Sequence, residues 1–339
     1  MKSWLYVLLI AAGLLAMPSA WSQLAPGSMD VHSMDVQWNE GSEHCDAQPP
    51  SPLQVHRYNA QTFVLRESLC ETAEAPFIYL LLGTDKALLI DTGDVSDPKR
   101  MPLANTVLSL LPGAGTTKLP LIVVHTHGHL DHRSGDAQFS ALPNTQVVGT
   151  DLEHVKQYFG FHDWPNGTAT VDLGNRIVDA IPTPGHYPSH VTYYDRMTGL
   201  VFSGDFLLPG RLLIEDKAAD LASAHRVADF FKDRPVSYVL GGHIELDKNN
   251  ALSSLGESYH PNERALPLNK QDLLDLPATI ASFNGFYSSH GMFVMMSQTR
   301  VLLALLAGVL IVLAGIGYGL YRFVRHRKAR RLAAAVASA

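Results

Sequence analysis

Two long apolar runs bracket the chain, and a different rhythm of apolar and polar positions fills the space between them. From Trp4 to Met17 the sequence is apolar, with Lys2 before it and Pro18, Ser19 and Ala20 after it. That layout predicts a secretory signal peptide over residues 1–22. Val301 to Tyr321 holds 21 residues without a charge, enough for a helix to cross a bilayer. Arg322, Arg325, Arg327, Lys328, Arg330 and Arg331 follow, so by the positive-inside rule residues 322–339 form a basic cytoplasmic tail. The expectation is a single-pass protein of the cell membrane whose body lies outside the cytoplasm, which is the periplasm if the source is a Gram-negative bacterium.

Between the two runs, residues 23–75 are rich in Pro, Ser, Asp and Gln and read as a lead-in. From Phe77 the periodicity sharpens. Phe77–Leu82 and Ala87–Asp91 predict strands joined by a turn at Gly83-Thr84-Asp85-Lys86. Leu121–His125, Thr145–Gly149, Arg176–Ile181, His190–Tyr194, Leu200–Phe202 and Val236–Leu240 read as further strands. Met101–Leu111, Asp151–Phe159 and Ala218–Phe231 carry helical spacing, the first ending at Pro112-Gly113. Strands alternating with helices indicate a layered α/β domain over 76–250. Residues 251–299 form an extension ending in Phe283, Phe286, Tyr287, Met292, Phe293, Met295 and Met296, expected to pack on the domain or the membrane surface.

Charge changes this picture in one respect. Residues 23–299 carry 18 basic and 32 acidic side chains, a net of −14, hidden in a whole-chain value of −6. So acidic a body is unsuited to a phosphate backbone, which excludes nucleic acid as a partner. The chain has 46% hydrophobic and 17% charged residues, which excludes disorder. Oligomeric state is unreadable. Cys45 and Cys70 are the only cysteines. Outside the cytoplasm they suit a disulfide better than two free thiols, and neither sits in a CxxC pair.

The chemistry begins at Thr126-His127-Gly128-His129-Leu130-Asp131-His132, directly after a predicted strand. Imidazoles and a carboxylate this close, at a strand end, are ligands for zinc or a similar borderline metal. Pro184-Gly185-His186, Ser203-Gly204-Asp205 and Gly241-Gly242-His243 also follow predicted strands, where α/β sheets build their sites. His125 and His190 are better explained by packing or by support of the ligands. Tyr158, Phe159, Phe161, His162 and Trp164 either wall a pocket or anchor a long loop.

Read together, the four segments resemble the metallo-β-lactamase fold superfamily of binuclear metal hydrolases, over about residues 76–245. The resemblance implies a four-layered αββα sandwich and a site with two zinc ions, iron or manganese being the other options. It implies that His127, His129 and His186 hold one metal, that Asp131, His132 and His243 hold the second, and that Asp205 bridges them. Asp91 matches the family's buried aspartate that supports the ligand loop. The implied reaction is hydrolysis of an ester, thioester or lactone of a small-molecule substrate by a metal-bridging hydroxide, with Asp131 orienting the nucleophile and relaying a proton. A bridging Asp205 resembles the glyoxalase II and lactonase branches and departs from β-lactamases. Leu208 stands where homoserine-lactone hydrolases place a tyrosine, and the basic residues that bind glutathione are not evident after His243. A β-lactam hydrolase, an iron-dependent persulfide-type oxidoreductase and a non-catalytic metal-binding membrane protein remain as alternatives.

Overall fold

The structure is a computed structural model that describes residues 29–115 and 118–337. The segment expected as a signal peptide lies outside the described residues. Strands β1 (Leu53–Asn59), β2 (Thr62–Glu67), β3 (Phe77–Leu82), β4 (Ala87–Ile90), β5 (Leu121–Val124) and β6 (Thr145–Val147) form one sheet in sequence order. The first four run antiparallel, and β4, β5 and β6 are parallel to one another. A second sheet takes β7 (Ala169–Asp172), β8 (Ile177–Pro182), β9 (Val191–Asp195) and β10 (Leu200–Gly204). After β11 (Arg211–Leu213), β12 (Tyr238–Gly241) completes it in the order β12-β10-β9-β8-β7.

Alternation along the strands explains the layers, because successive side chains point to opposite faces. Phe77, Tyr79 and Leu81 of β3 join Leu88, Ile90, Ile122 and Val124 in the core between the sheets, where they meet Val178, Val191, Tyr193, Leu200, Phe202 and Leu240. Ile78, Leu80 and Leu82 point the other way, onto Leu103, Ala104 and Val107 of α1 (Leu103–Leu110). Beyond α2 (Leu130–Arg133) and α3 (Leu152–Phe159), helix α4 (Lys217–Phe231) covers the outer face of the second sheet. Its Ala224, Val227 and Phe231 pack with Ile181, Tyr194, Val201 and Val239. The order is therefore helix, sheet, sheet, helix.

Both flanking segments contribute more than expected. The stretch anticipated as a lead-in holds β1 and β2, with β2 buried along its whole length. Its Arg66 pairs with Glu263 at 2.5 Å, both side chains buried, and Cys45 and Cys70 form a disulfide across 25 residues. Residues 251–299 supply α5 (Lys270–Leu274), α6 (Leu276–Ser282), β13 (Tyr287–His290) and β14 (Phe293–Met296). Leu273, Ile280, Phe283, Phe293 and Met295 enter the core under α4, whereas Phe286 and Tyr287 stay exposed. Strand β14 pairs with β11 and runs almost directly into α7 (Gln298–Ala337).

Helix α7 is 40 residues long, with a mean hydropathy of 2.6 in its most apolar window and none of that window buried. By length and composition it can cross a membrane. It continues through residues expected to form a separate tail, consistent with the good helix formers Arg, Lys and Ala there.

Candidate metal centre

The site lies where strands of both sheets end. The loop after β5 carries His127, His129, Asp131 and His132; the turn after β8 carries His186; Asp205 follows β10 and His243 follows β12. Gly185, at φ +153°, makes the turn that delivers His186. Gly242 serves close approach: a Cβ there would stand 2.4 Å from Asp205 Oδ1 and 2.8 Å from His132 Cε1.

Every residue expected as a ligand reaches one of two groups. In the first, His127 Nε2, His129 Nδ1 and His186 Nε2 face one another at 2.9, 3.2 and 3.1 Å. In the second, Asp131 Oδ2 lies 3.0 Å from His132 Nε2 and 3.2 Å from His243 Nε2. Asp205 stands between them. Its Oδ1 is 3.4 Å from His132 Nε2 and 3.5 Å from His243 Nε2, while Oδ2 is 3.7 Å from His186 Nε2.

The outer atoms of the imidazoles are equally specified. His186 Nδ1 donates to the Leu213 carbonyl (2.9 Å), His243 Nδ1 to the Glu74 carbonyl (2.9 Å), and His132 Nδ1 to Asp91 (2.9 Å). An acceptor behind the ring fixes the tautomer and leaves a bare lone pair on the inward nitrogen. Asp91 also accepts from Thr126 N (2.7 Å) and Thr126 Oγ1 (2.9 Å), tying β4 to the ligand loop. It adopts φ +66°, a conformation few non-glycine residues occupy without compensation.

Electrostatics separates the groups. Burial, and then the crowd of neighbouring imidazoles, holds His127 well below the usual histidine range, and burial with His186 lowers His129. Burial would also lower His132 and His243. Asp131 and Asp205 overcome it there, joined by Asp91 at His132, and His243 rises to about 10. Glu74 flanks this group; burial, with Asp131 and Asp205 against it and His243 opposing, raises its carboxyl to about 7.

The residues fit a pair of zinc ions. Tetrahedral zinc with Zn–N bonds of about 2.05 Å sets its nitrogens about 3.3 Å apart, close to the separations of the first group. Asp205 Oδ1 is buried with no hydrogen-bond partner among the described residues, a costly state for a carboxylate unless a cation satisfies it.

Several neighbours fall outside the ligand groups. His125 bonds Asp136 at 2.8 Å, and His190 stacks on His127 at 5.1 Å and 21°. Leu208 is buried. The loop aromatics act as an anchor: Phe161 is in the inter-sheet core, Tyr158, Phe159 and Trp164 pack against it, and His162 is exposed. Two residues with no assigned part in the sequence reading sit at the site. Tyr187 packs edge-on against His129, centroids 4.9 Å apart, and Glu74 touches the second group. Adjacency to His186 was a signal for Tyr187; nothing local marked Glu74.

The chain is similar to several known proteins. Relatives include a hydroxyacylglutathione hydrolase of Synechococcus sp. (strain JA-2-3B'a(2-13)), 30% identical over 135 residues, 40% of this chain and 50% of that protein. One from Bartonella quintana (strain Toulouse) is 28% identical over 189 residues, 53% of this chain and 72% of that protein. An acyl-coenzyme A thioesterase of Gallus gallus is 22% identical over 230 residues, 58% of this chain and 82% of that protein. The chain spans about half the length of three of the hydroxyacylglutathione hydrolases it matches (50, 43 and 46%). A solved metallo-beta-lactamase structure from Hirschia baltica aligns with a TM-score of 0.47 at 13% identity, covering 67% of this chain and 97% of that one. The model of the metallo-beta-lactamase superfamily matches residues 72–243, half of the chain and the whole span from Thr72 to the last histidine of the site. With two convergent ligand groups at the strand ends of a double-sheet domain, the chain belongs to that superfamily.

Proposed function

We propose that this protein is a binuclear zinc hydrolase of an ester, thioester or lactone, tethered by α7 with its catalytic domain outside the cytoplasm. The observation that carries the reading is Asp205, whose two oxygens face different ligand groups. His127, His129 and His186 would hold one ion, Asp131, His132 and His243 would hold the other, and Asp205 lies between the two groups. Bound there, zinc supplies a water activated near neutral pH and polarises a carbonyl.

The chain's own groups do the rest. Asp91, Leu213 O and Glu74 O fix three imidazoles so that their inward nitrogens carry lone pairs. Asp131, partly exposed at the mouth, is placed to orient the attacking water and pass its proton to the leaving group. The names of the relatives, hydrolases of glutathione and coenzyme A thioesters, favour a thioester among the three bond types. The basic residues after the apolar stretch of α7 support the proposed orientation.

The test is zinc-loaded full-length protein in detergent against thioesters, lactones, aryl esters and β-lactams. Turnover of a thioester, ester or lactone is expected. Activity confined to β-lactams overturns the assignment.

A further inference from the structure

Glu74 enters the site from a segment remote from the ligand loops. Its backbone carbonyl accepts from His243 Nδ1 at 2.9 Å, while its side-chain Oε2 lies 3.8 Å from Nε2 of the same ring. The residue thus wraps the imidazole. The segment is pinned on both sides. Cys70 is tied to Cys45, Thr72 Oγ1 donates to Asp94 at 2.7 Å, and Phe77 N donates to Gly242 O at 2.9 Å. The Glu74 side chain is nonetheless 53% exposed. It is therefore fixed in place and open to the solution from which a substrate arrives.

We propose that Glu74 is a specificity-determining residue: its carboxylate, held beside the second ligand group, strengthens retention of a divalent ion there and disfavours substrates with a negative charge close to the scissile carbonyl. This rests on the hydrolase reading above and names the substrate class within it, acyl groups uncharged near the bond that breaks. Opposition between like charges at this range is a Coulombic effect softened by solvent, so it is selective without being absolute, and salt weakens it.

The test uses full-length, zinc-loaded protein in detergent and two esters with one leaving group, 4-nitrophenyl acetate and mono-4-nitrophenyl succinate. In Glu74→Gln the kcat/KM ratio of the succinate to the acetate is expected to rise about fivefold at low salt and less at high salt. Glu74→Asp is expected to return it toward wild type. Independently of activity, competition with a chromophoric chelator is expected to show the more weakly held zinc released about threefold more readily from Glu74→Gln. A ratio that moves less than twofold, or zinc held as tightly as in wild type, overturns the proposal. Wild type that cleaves neither ester, thioester nor lactone instead overturns the hydrolase reading, and the chelator competition still reports on Glu74.

Discussion

The two groups of candidate ligands lie side by side with Asp205 between them, yet they are held together by different physics. The first is three imidazoles whose inward nitrogens lie 2.9 to 3.2 Å apart with no carboxylate of their own. Burial depresses the basicity of His127 and His129, so these rings stay neutral and direct lone pairs at one point. The second group interleaves Asp131 and Asp205 with His132 and His243, whose Nε2 atoms lie 3.0 and 3.2 Å from Asp131 Oδ2 and whose basicity the carboxylates raise. One group gathers imidazoles alone, and the other interleaves imidazoles with carboxylates. The supports behind them differ too. The Leu213 carbonyl behind His186 belongs to β11, which pairs with β14 at the base of α7. His243 leans on Glu74 in the disulfide-bonded segment, and His132 on Asp91.

Asp205 stands between the two groups, with Oδ1 toward His132 and His243 and Oδ2 toward His186, so removing it should produce the largest effect. Asp205→Ala is expected to lower kcat/KM by about 10³-fold or more, since the two sites no longer act as a unit. Equilibrium dialysis should find metal bound with lower affinity at both sites. Loss from one site alone would show that Asp205 is not shared.

Asp91→Asn separates the groups. The carboxamide oxygen can still accept from Thr126 N, but its NH2 then faces His132 Nδ1 and the imidazole proton is driven to Nε2. That proton occupies the lone pair the second group needs. Affinity there is expected to fall about 10- to 100-fold, as is usual when a partner behind a metal-binding histidine is lost. The first group should be unaffected, which titration of metal-free protein with cobalt, followed by its d–d spectrum, would show as one normal and one weakened phase.

The two groups were unequally legible in the sequence, and so were the layers beneath them. His127, His129, Asp131 and His132 announce themselves because their spacing is the chemistry. His186, Asp205 and His243 were readable from the glycines that precede them at strand ends. Glu74 was not, being one carboxylate in a polar segment whose meaning depends on a ring 169 positions away. Strand β2 was hidden for the same reason. Its Arg66 and Glu67 interrupt an apolar run, and only the fold shows that Arg66 meets Glu263 and that Glu67 accepts from Asp94 N at 3.0 Å. Strands β13 and β14 are four residues each and draw their place from pairing with β11, which no local pattern encodes.

Replacing Cys45 and Cys70 by serine tests the support behind the second group alone. Losing a loop closure of this size costs about 2–4 kcal/mol of stability, readable as a lower Tm. The freed segment carries the Glu74 carbonyl, so the metal of the second group should also leave first when chelator is added. Equal loss from both sites would mean that the disulfide stabilises the fold without bracing His243.

The smallest expected effect lies behind the first group and has a definite pH dependence. Asp220, in the first turn of α4, packs against Gly185, where a Cβ would come within 2.3 Å of its own Cβ. It is buried, Oδ1 has no partner among the described residues, and burial with Asp216 nearby pushes its carboxyl well above the usual range. A carboxyl whose pKa is raised on folding binds more protons folded than unfolded. Its burden on stability is therefore absent below the unfolded value, grows as pH rises through the interval between the two values, and is complete above the folded one. Asp220→Asn removes that burden while keeping the shape beneath the Gly185 turn. It should raise Tm at pH 7 by about 2–4 °C, corresponding to on the order of 1 kcal/mol, with the gain fading toward pH 4. A gain of the same size at both pH values would trace it to packing. A loss at pH 7 would show that the ionised carboxylate supports the turn that delivers His186, making charge as necessary behind the first group as it is within the second.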